Sequence, residues 1–108
     1  MSPLAQRPPI PDVPEPLLSA LKFECNANYY RLDDFIKTKR DGINPEYFEK
    51  LRIQLYDAEI LRTISDPLVF EKLTAIGFES RESVMAWLVR LRQHLYENGP
   101  YPTLEGLN

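Results

Sequence analysis

DPLVFEKLTAIGFESRESVMAWLVRLRQHLYENG, residues 66–99, reads as two helices and the corner that joins them. Asp66 at an N-cap accepts from the free amides of the first turn, and Pro67 behind it has no amide to leave unpaired. Leu68, Val69, Phe70, Leu73 and Ile76 supply apolar surface. Gly77, at ease in the left-handed region, is expected to end this short helix, and Phe78 to fold back onto its last turn. Ser80 then caps a second helix whose first turn places Glu82 at the positive end of the dipole. Val84, Trp87, Leu88, Leu91 and Leu95 recur at steps of three and four as its inward stripe, with a second line at Met85, Val89 and Tyr96 that Arg92 shares. Asn98-Gly99-Pro100 ends it.

The same grammar extends upstream. Asn44-Pro45-Glu46 repeats the cap-proline-acid signature and predicts a helix to about Ile64. Phe48, Leu51, Leu55 and Ala58 form one stripe of that segment, and Ile53, Tyr56, Ile60 and Ile64 form another on its opposite side. A helix apolar on both sides belongs at the centre of a bundle. From Glu15 to about Lys39, Leu18, Leu21, Cys25, Tyr29, Leu32 and Ile36 keep helical spacing, as one long helix or two joined at Asn26-Ala27-Asn28. Lys37, Lys39 and Arg40 crowd its last turn, where cations oppose the negative end of the dipole, and Asp41-Gly42 breaks it. Asp33 and Lys37 have the spacing of an ion pair. The fold class expected is all-α: a compact bundle of four or five helices around a central helix at about 45–64, with extended proline-containing arms at both ends.

Six of the ten prolines fall at Pro3, Pro8, Pro9, Pro11, Pro14 and Pro16. Residues 1–14 therefore read as an extended arm, residues 15–98 as one helical domain and residues 99–108 as an extended tail that Tyr101 and Leu104 tack down. The arm holds PxxP spacings, yet Arg7 stands at neither flanking distance that an SH3 ligand uses. Leu4, Ile10 and Val13 serve equally to lay it over its own domain or to meet a partner. At 108 residues, 44% hydrophobic and 27% charged, the composition is that of a single globular domain. The net charge of −3 gives no general attraction for phosphate backbones or anionic lipid. No long apolar run suits a membrane span, and prolines interrupt the start where a signal peptide would be apolar, so a cytoplasmic location is expected.

No constellation announces chemistry. His94, the single histidine, lies beside the apolar stripe without an evident partner, and Cys25, the single cysteine, sits on a helical stripe as a small buried hydrophobe. Asp33-Asp34, and Asp57 with Glu59, point in different directions on a helix. One Cys and one His do not make a zinc site, and the four glycines punctuate the chain instead of cradling a phosphate. Neither a cofactor nor a metal is expected, nor an enzymatic activity.

Two functions remain. The first is a non-catalytic interaction module, an adaptor, assembly factor or regulatory subunit, which binds another protein or a second copy of itself. Its candidate contact residues are Phe23, Tyr30, Met85, Val89 and Tyr96, which lie off the main stripes. The second starts from the corner Gly77-Phe78-Glu79-Ser80, which resembles the corner of some bacterial regulators. That resemblance implies a helix-turn-helix at about 67–97 that reads DNA, with Arg81, Ser83 and Arg90 as contacts. Of the outward residues near the start of the second helix, only Arg81 is a strong base reader, and Glu82 repels phosphate.

Overall fold

A computed structural model describes residues 12–107. Among them every regular element is helical. A single α-turn, α1 (Leu17–Ser19), runs straight into a π-helical turn at Ala20–Glu24. There follow α2 (Leu32–Arg40), α3 (Pro45–Leu55), α4 (Ala58–Ile64), α5 (Pro67–Thr74) and α6 (Arg81–Tyr96). No helix is long and apolar enough to cross a membrane.

The 15–39 segment forms two helices, because Cys25–Arg31 leaves the helical path. The Asn26 side chain accepts from the Asn28 amide at 2.8 Å, a local turn that competes with helical bonding, and Tyr30 adopts a left-handed φ of 54°. Phe35 of α2 packs against Phe48 and Tyr47 of α3. Lys37 pairs with Asp41 at 3.7 Å instead of with Asp33.

The helix expected over 45–64 is interrupted. Tyr56 and Asp57 lie between α3 and α4, and the Asp57 carboxylate caps α4 by accepting from the Glu59 and Ile60 amides at 3.0 and 3.2 Å. An aspartate that caps this well starts a helix more readily than it sits inside one. The break divides the second apolar stripe: Ile64 is fully buried, whereas Ile53 and Tyr56 are 58% and 45% exposed. Asn44 also departs from expectation. It takes φ 58° and lends no side-chain cap, so Pro45 alone marks the start of α3. Still, α3 lies against α1, α4 and α6, which suits a central element.

The 66–99 corner forms with one change. Asp66 accepts from the Leu68 amide at 2.9 Å, Ser80 accepts from the Ser83 amide at 3.2 Å, and Phe78 folds back to place its ring 5.7 Å from that of Phe70. The left-handed residue that ends α5 is Ala75, at φ 59°, two positions before Gly77. Trp87 packs edge-on against Phe70 in the middle of the core, with Leu17, Leu21, Leu51 and Leu73 fully buried around them.

Both ends of the described segment close over this core. Val13 is buried and lines a cleft with Ile60, Thr63 and Ile64, so the arm lies on its own domain at that point. Leu4, Ile10 and the PxxP spacings fall outside the described residues. Gln54 of α3 holds the start of α1 by accepting from the Leu17 amide at 2.9 Å and donating to the Glu15 carbonyl at 2.8 Å. In the tail, the buried anchors are Pro102 and Leu107; Tyr101 and Leu104 are about half exposed.

A left-handed non-glycine residue carries about 1–2 kcal/mol of steric cost, part of which glycine's greater freedom in the unfolded chain offsets. Ala75→Gly is therefore expected to raise stability by about 0.5–1 kcal/mol. Gly77→Ala should cost little, since its new Cβ meets only the mobile carboxylate tip of Glu71. Urea midpoints of both variants check this, and the reverse ranking would move the helix end back to Gly77.

Candidate functional site

A recess lies between the 25–31 loop and the C-terminal tail. The loop is fastened from below: the Ala27 amide donates to the Thr74 carbonyl at 2.8 Å, and Asn26 Nδ2 donates to the Leu73 carbonyl at 3.3 Å. These are two of the carbonyls that the end of α5 leaves without a helical partner. The tail is fastened from above. Arg90 Nη1 donates to the Thr103 and Glu105 carbonyls at 3.0 and 2.8 Å, and His94 Nδ1 donates to the Gly99 carbonyl at 2.9 Å. The Tyr101 ring stands edge-on to His94, and its hydroxyl donates to Asp33.

Between loop and tail is a cavity of about 370 Å³. Cys25, Ile76 and Trp87 form its apolar floor, with Leu32 and Leu104 on the walls. Glu24, Arg31 and Asp33 bring charge to the rim, where Arg31 pairs with Glu24 at 3.6 Å. Tyr30 stands at the lip, 90% exposed. Beside it Phe23 and Tyr29 stack with ring centroids 6.3 Å apart, both partly exposed, and the Lys22 ammonium lies 5.7 Å from the Phe23 ring.

The five contact residues named from the sequence occupy three places. Phe23 and Tyr30 belong to this aromatic end. Met85 and Val89 lie half-buried on the outer face of α6, in a shallow groove with Arg81, Glu82, Ala86 and Arg90. Tyr96 braces the interior: its hydroxyl donates to the Phe48 carbonyl at 2.7 Å, and the Lys39 ammonium covers its ring at 5.0 Å. The residues offered as DNA readers are engaged within the chain. Arg81 Nη1 donates to the Arg62 carbonyl and to Ser65 Oγ, Ser83 is buried beneath Ser80, and Arg90 holds the tail. Tyr101 and Leu104, expected only as tacks for the tail, also wall the cavity, and the local signal for the loop opposite them is the Asn26 turn that precedes Tyr30.

Burial governs the titratable groups near the cavity. It pushes the Cys25 thiol up from 9.0 to about 12, with a smaller push from Glu24, so no thiolate is present at neutral pH. Tyr101 rises from 10.0 to about 12 through burial and then its bond to the Asp33 carboxylate. Among the described residues, no group of three or more His, Cys, Asp or Glu side chains is placed to hold a metal ion. Comparison with known proteins finds no family model, no curated protein and no solved structure that matches the chain.

These shifts lead to an expected alkaline limit of the fold. Cys25, Tyr47, Tyr96 and Tyr101 all hold their protons more tightly folded than unfolded, so the unfolded chain ionises first. Stability is complete below the unfolded thiol value of 9.0 and should fall as pH rises from there toward about 12. In Cys25→Ala the decline should begin later, near the ordinary tyrosine value of 10.0. Urea midpoints measured against pH test this; a fall that starts at the same pH in both proteins contradicts it.

Proposed function

We propose that the protein is a small, non-catalytic helical module that works in the cytoplasm as an adaptor, assembly factor or regulatory subunit. It grips another protein at the cavity between the 25–31 loop and the tail. The observation that carries this reading is Tyr30. A tyrosine in the left-handed region, almost wholly exposed, on a loop tied to α5 by one backbone bond and the Asn26 side chain, is a costly arrangement for the monomer alone. Tyrosine has only two side-chain torsions to order when a partner covers it, and aromatic anchors beside apolar recesses dominate the energetics of interfaces. The cavity at its foot has room for an apolar side chain of the partner, and the Glu24–Arg31–Asp33 rim offers polar contacts around it.

Against the DNA-reading alternative, Arg81 and Arg90 already hold backbone carbonyls, and Ser83 is buried. Catalysis finds no support in Cys25, which is protonated, or in His94, whose Nδ1 is committed to the Gly99 carbonyl.

Affinity capture from the native cells, with and without nuclease, tests the proposal. The wild type should retain a protein partner that survives nuclease. Tyr30→Ser should lose it, by the factor of about 30 or more that removal of an interface hot spot brings. Arg81→Ala should retain it. Capture that disappears with nuclease, or that Tyr30→Ser leaves unchanged, refutes the cavity as the binding site.

A further inference from the structure

The outer face of α6, which shares no lining residue with the cavity, is complementary to itself. Along it run Glu82, Met85, Ala86, Val89 and Arg90, with the three apolar side chains half-buried and Glu82 exposed. At about 100° and 1.5 Å per residue, these positions share one side of the helix, with Glu82 and Arg90 about 6 Å to either side of Ala86 along the axis. A two-fold axis that passes at the level of Ala86 and sets two copies of α6 antiparallel therefore puts each Glu82 level with the other copy's Arg90. The same operation lays Met85 beside Val89 of the other copy, and brings the two Ala86 residues together at the crossing, where small side chains let helices approach closely. A parallel pairing would oppose Glu82 to Glu82 and Arg90 to Arg90. The charge order thus selects one orientation.

We infer that the protein forms a two-fold homodimer through the Glu82–Arg90 face of α6. The Glu82 carboxylate makes no hydrogen bond or ion pair among the described residues. Arg90 uses Nη1 for both of its bonds to the tail, which leaves Nη2 for a carboxylate from outside. Three apolar side chains from each copy place the contact at the weak end of specific interfaces, so the dimer forms as concentration rises. Two-fold, isologous pairing is the commonest way for a self-complementary patch to close.

Sedimentation equilibrium of the full 108-residue chain, over a concentration range of roughly 10 µM to 1 mM suited to a weak contact, tests the inference. The wild type should pass from monomer to dimer without larger species. Glu82→Arg alone opposes arginine to arginine at both ends of the contact, and Arg90→Glu alone opposes glutamate to glutamate. Each should lower the association constant by about tenfold or more, the cost of like charges across an interface. An equimolar mixture of the two variants restores unlike charges at both ends and should associate about as well as the wild type. Circular dichroism confirms that each variant is folded. A wild type that stays monomeric throughout overturns the inference, as does a dimer that neither charge reversal weakens or a mixture of folded variants that fails to associate.

Discussion

The abrupt end of α5 is the constraint from which the rest of this structure follows. Ala75 turns left-handed, the helix stops, and the carbonyls of Leu73 and Thr74 are left in a region from which water is largely excluded. Unpaired carbonyls there would be expensive. The chain meets the need from far away in sequence, with the Asn26 side chain and the Ala27 amide. Once those two residues are tied to α5, the 15–39 segment cannot continue as one helix. The loop has to climb back out through Asn28, Tyr29 and Tyr30, and α2 restarts at Leu32. The exposed tyrosine, the cavity beneath it and the split first helix are thus consequences of one hydrogen-bonding requirement.

A similar requirement explains the arginines of α6. Arg92 donates to the carbonyl of Leu55, the last residue of α3; Arg81 donates to the carbonyl of Arg62 near the end of α4; Arg90 takes two carbonyls of the tail. Basic side chains commonly satisfy the orphan carbonyls at helix ends and oppose the dipole there. Each such bond contributes about 1.5–3 kcal/mol at most, less than the 3–5 kcal/mol expected from a buried aromatic such as Trp87. The apolar stripe therefore holds α6 in place, and the arginines determine which segments end against it. A set of positive charges that looks from sequence like equipment for phosphate is spent on closing the ends of neighbouring elements.

Legibility in the sequence follows the range of the interaction. Caps and stripes act within a turn or two, and they were readable: Asp66, Ser80 and the buried line from Val84 to Leu95 stand where their spacing puts them. The all-α class was readable for the same reason. Where two local signals competed, the outcome was not. Asp57 fits the polar seam of a continuous helix as well as it fits a cap, and only the capping bonds decide. Gly77 was the natural choice for a left-handed residue, but the register of Leu73 and Thr74 in the core ends the helix earlier, at an alanine. The cavity was least readable of all. Its walls come from residues 24–33, Ile76, Trp87 and 101–104, and it is the long-range bonds of Asn26, Arg90 and Tyr101 that bring them together. Tyr96 shows the converse: its periodicity suggested an open second face, while its hydroxyl reaches the Phe48 carbonyl across the bundle.

The two surfaces meet at Arg90. Its stem lies on the outer face of α6, and its guanidinium holds Thr103, which lines the cavity. In the proposed antiparallel pair, Arg90 of each copy would serve both surfaces, with Nη1 on the tail carbonyls and Nη2 toward the other copy's carboxylate. The pair also presents two cavities related by the two-fold axis. A partner with two suitably spaced apolar anchors would then bind with the gain that linkage gives, without any new contact. The α6 face that a DNA reader would need would be covered in such a pair, so self-association and groove binding would compete for one surface, whereas the cavity shares no lining residue with that face and would stay open to a protein partner.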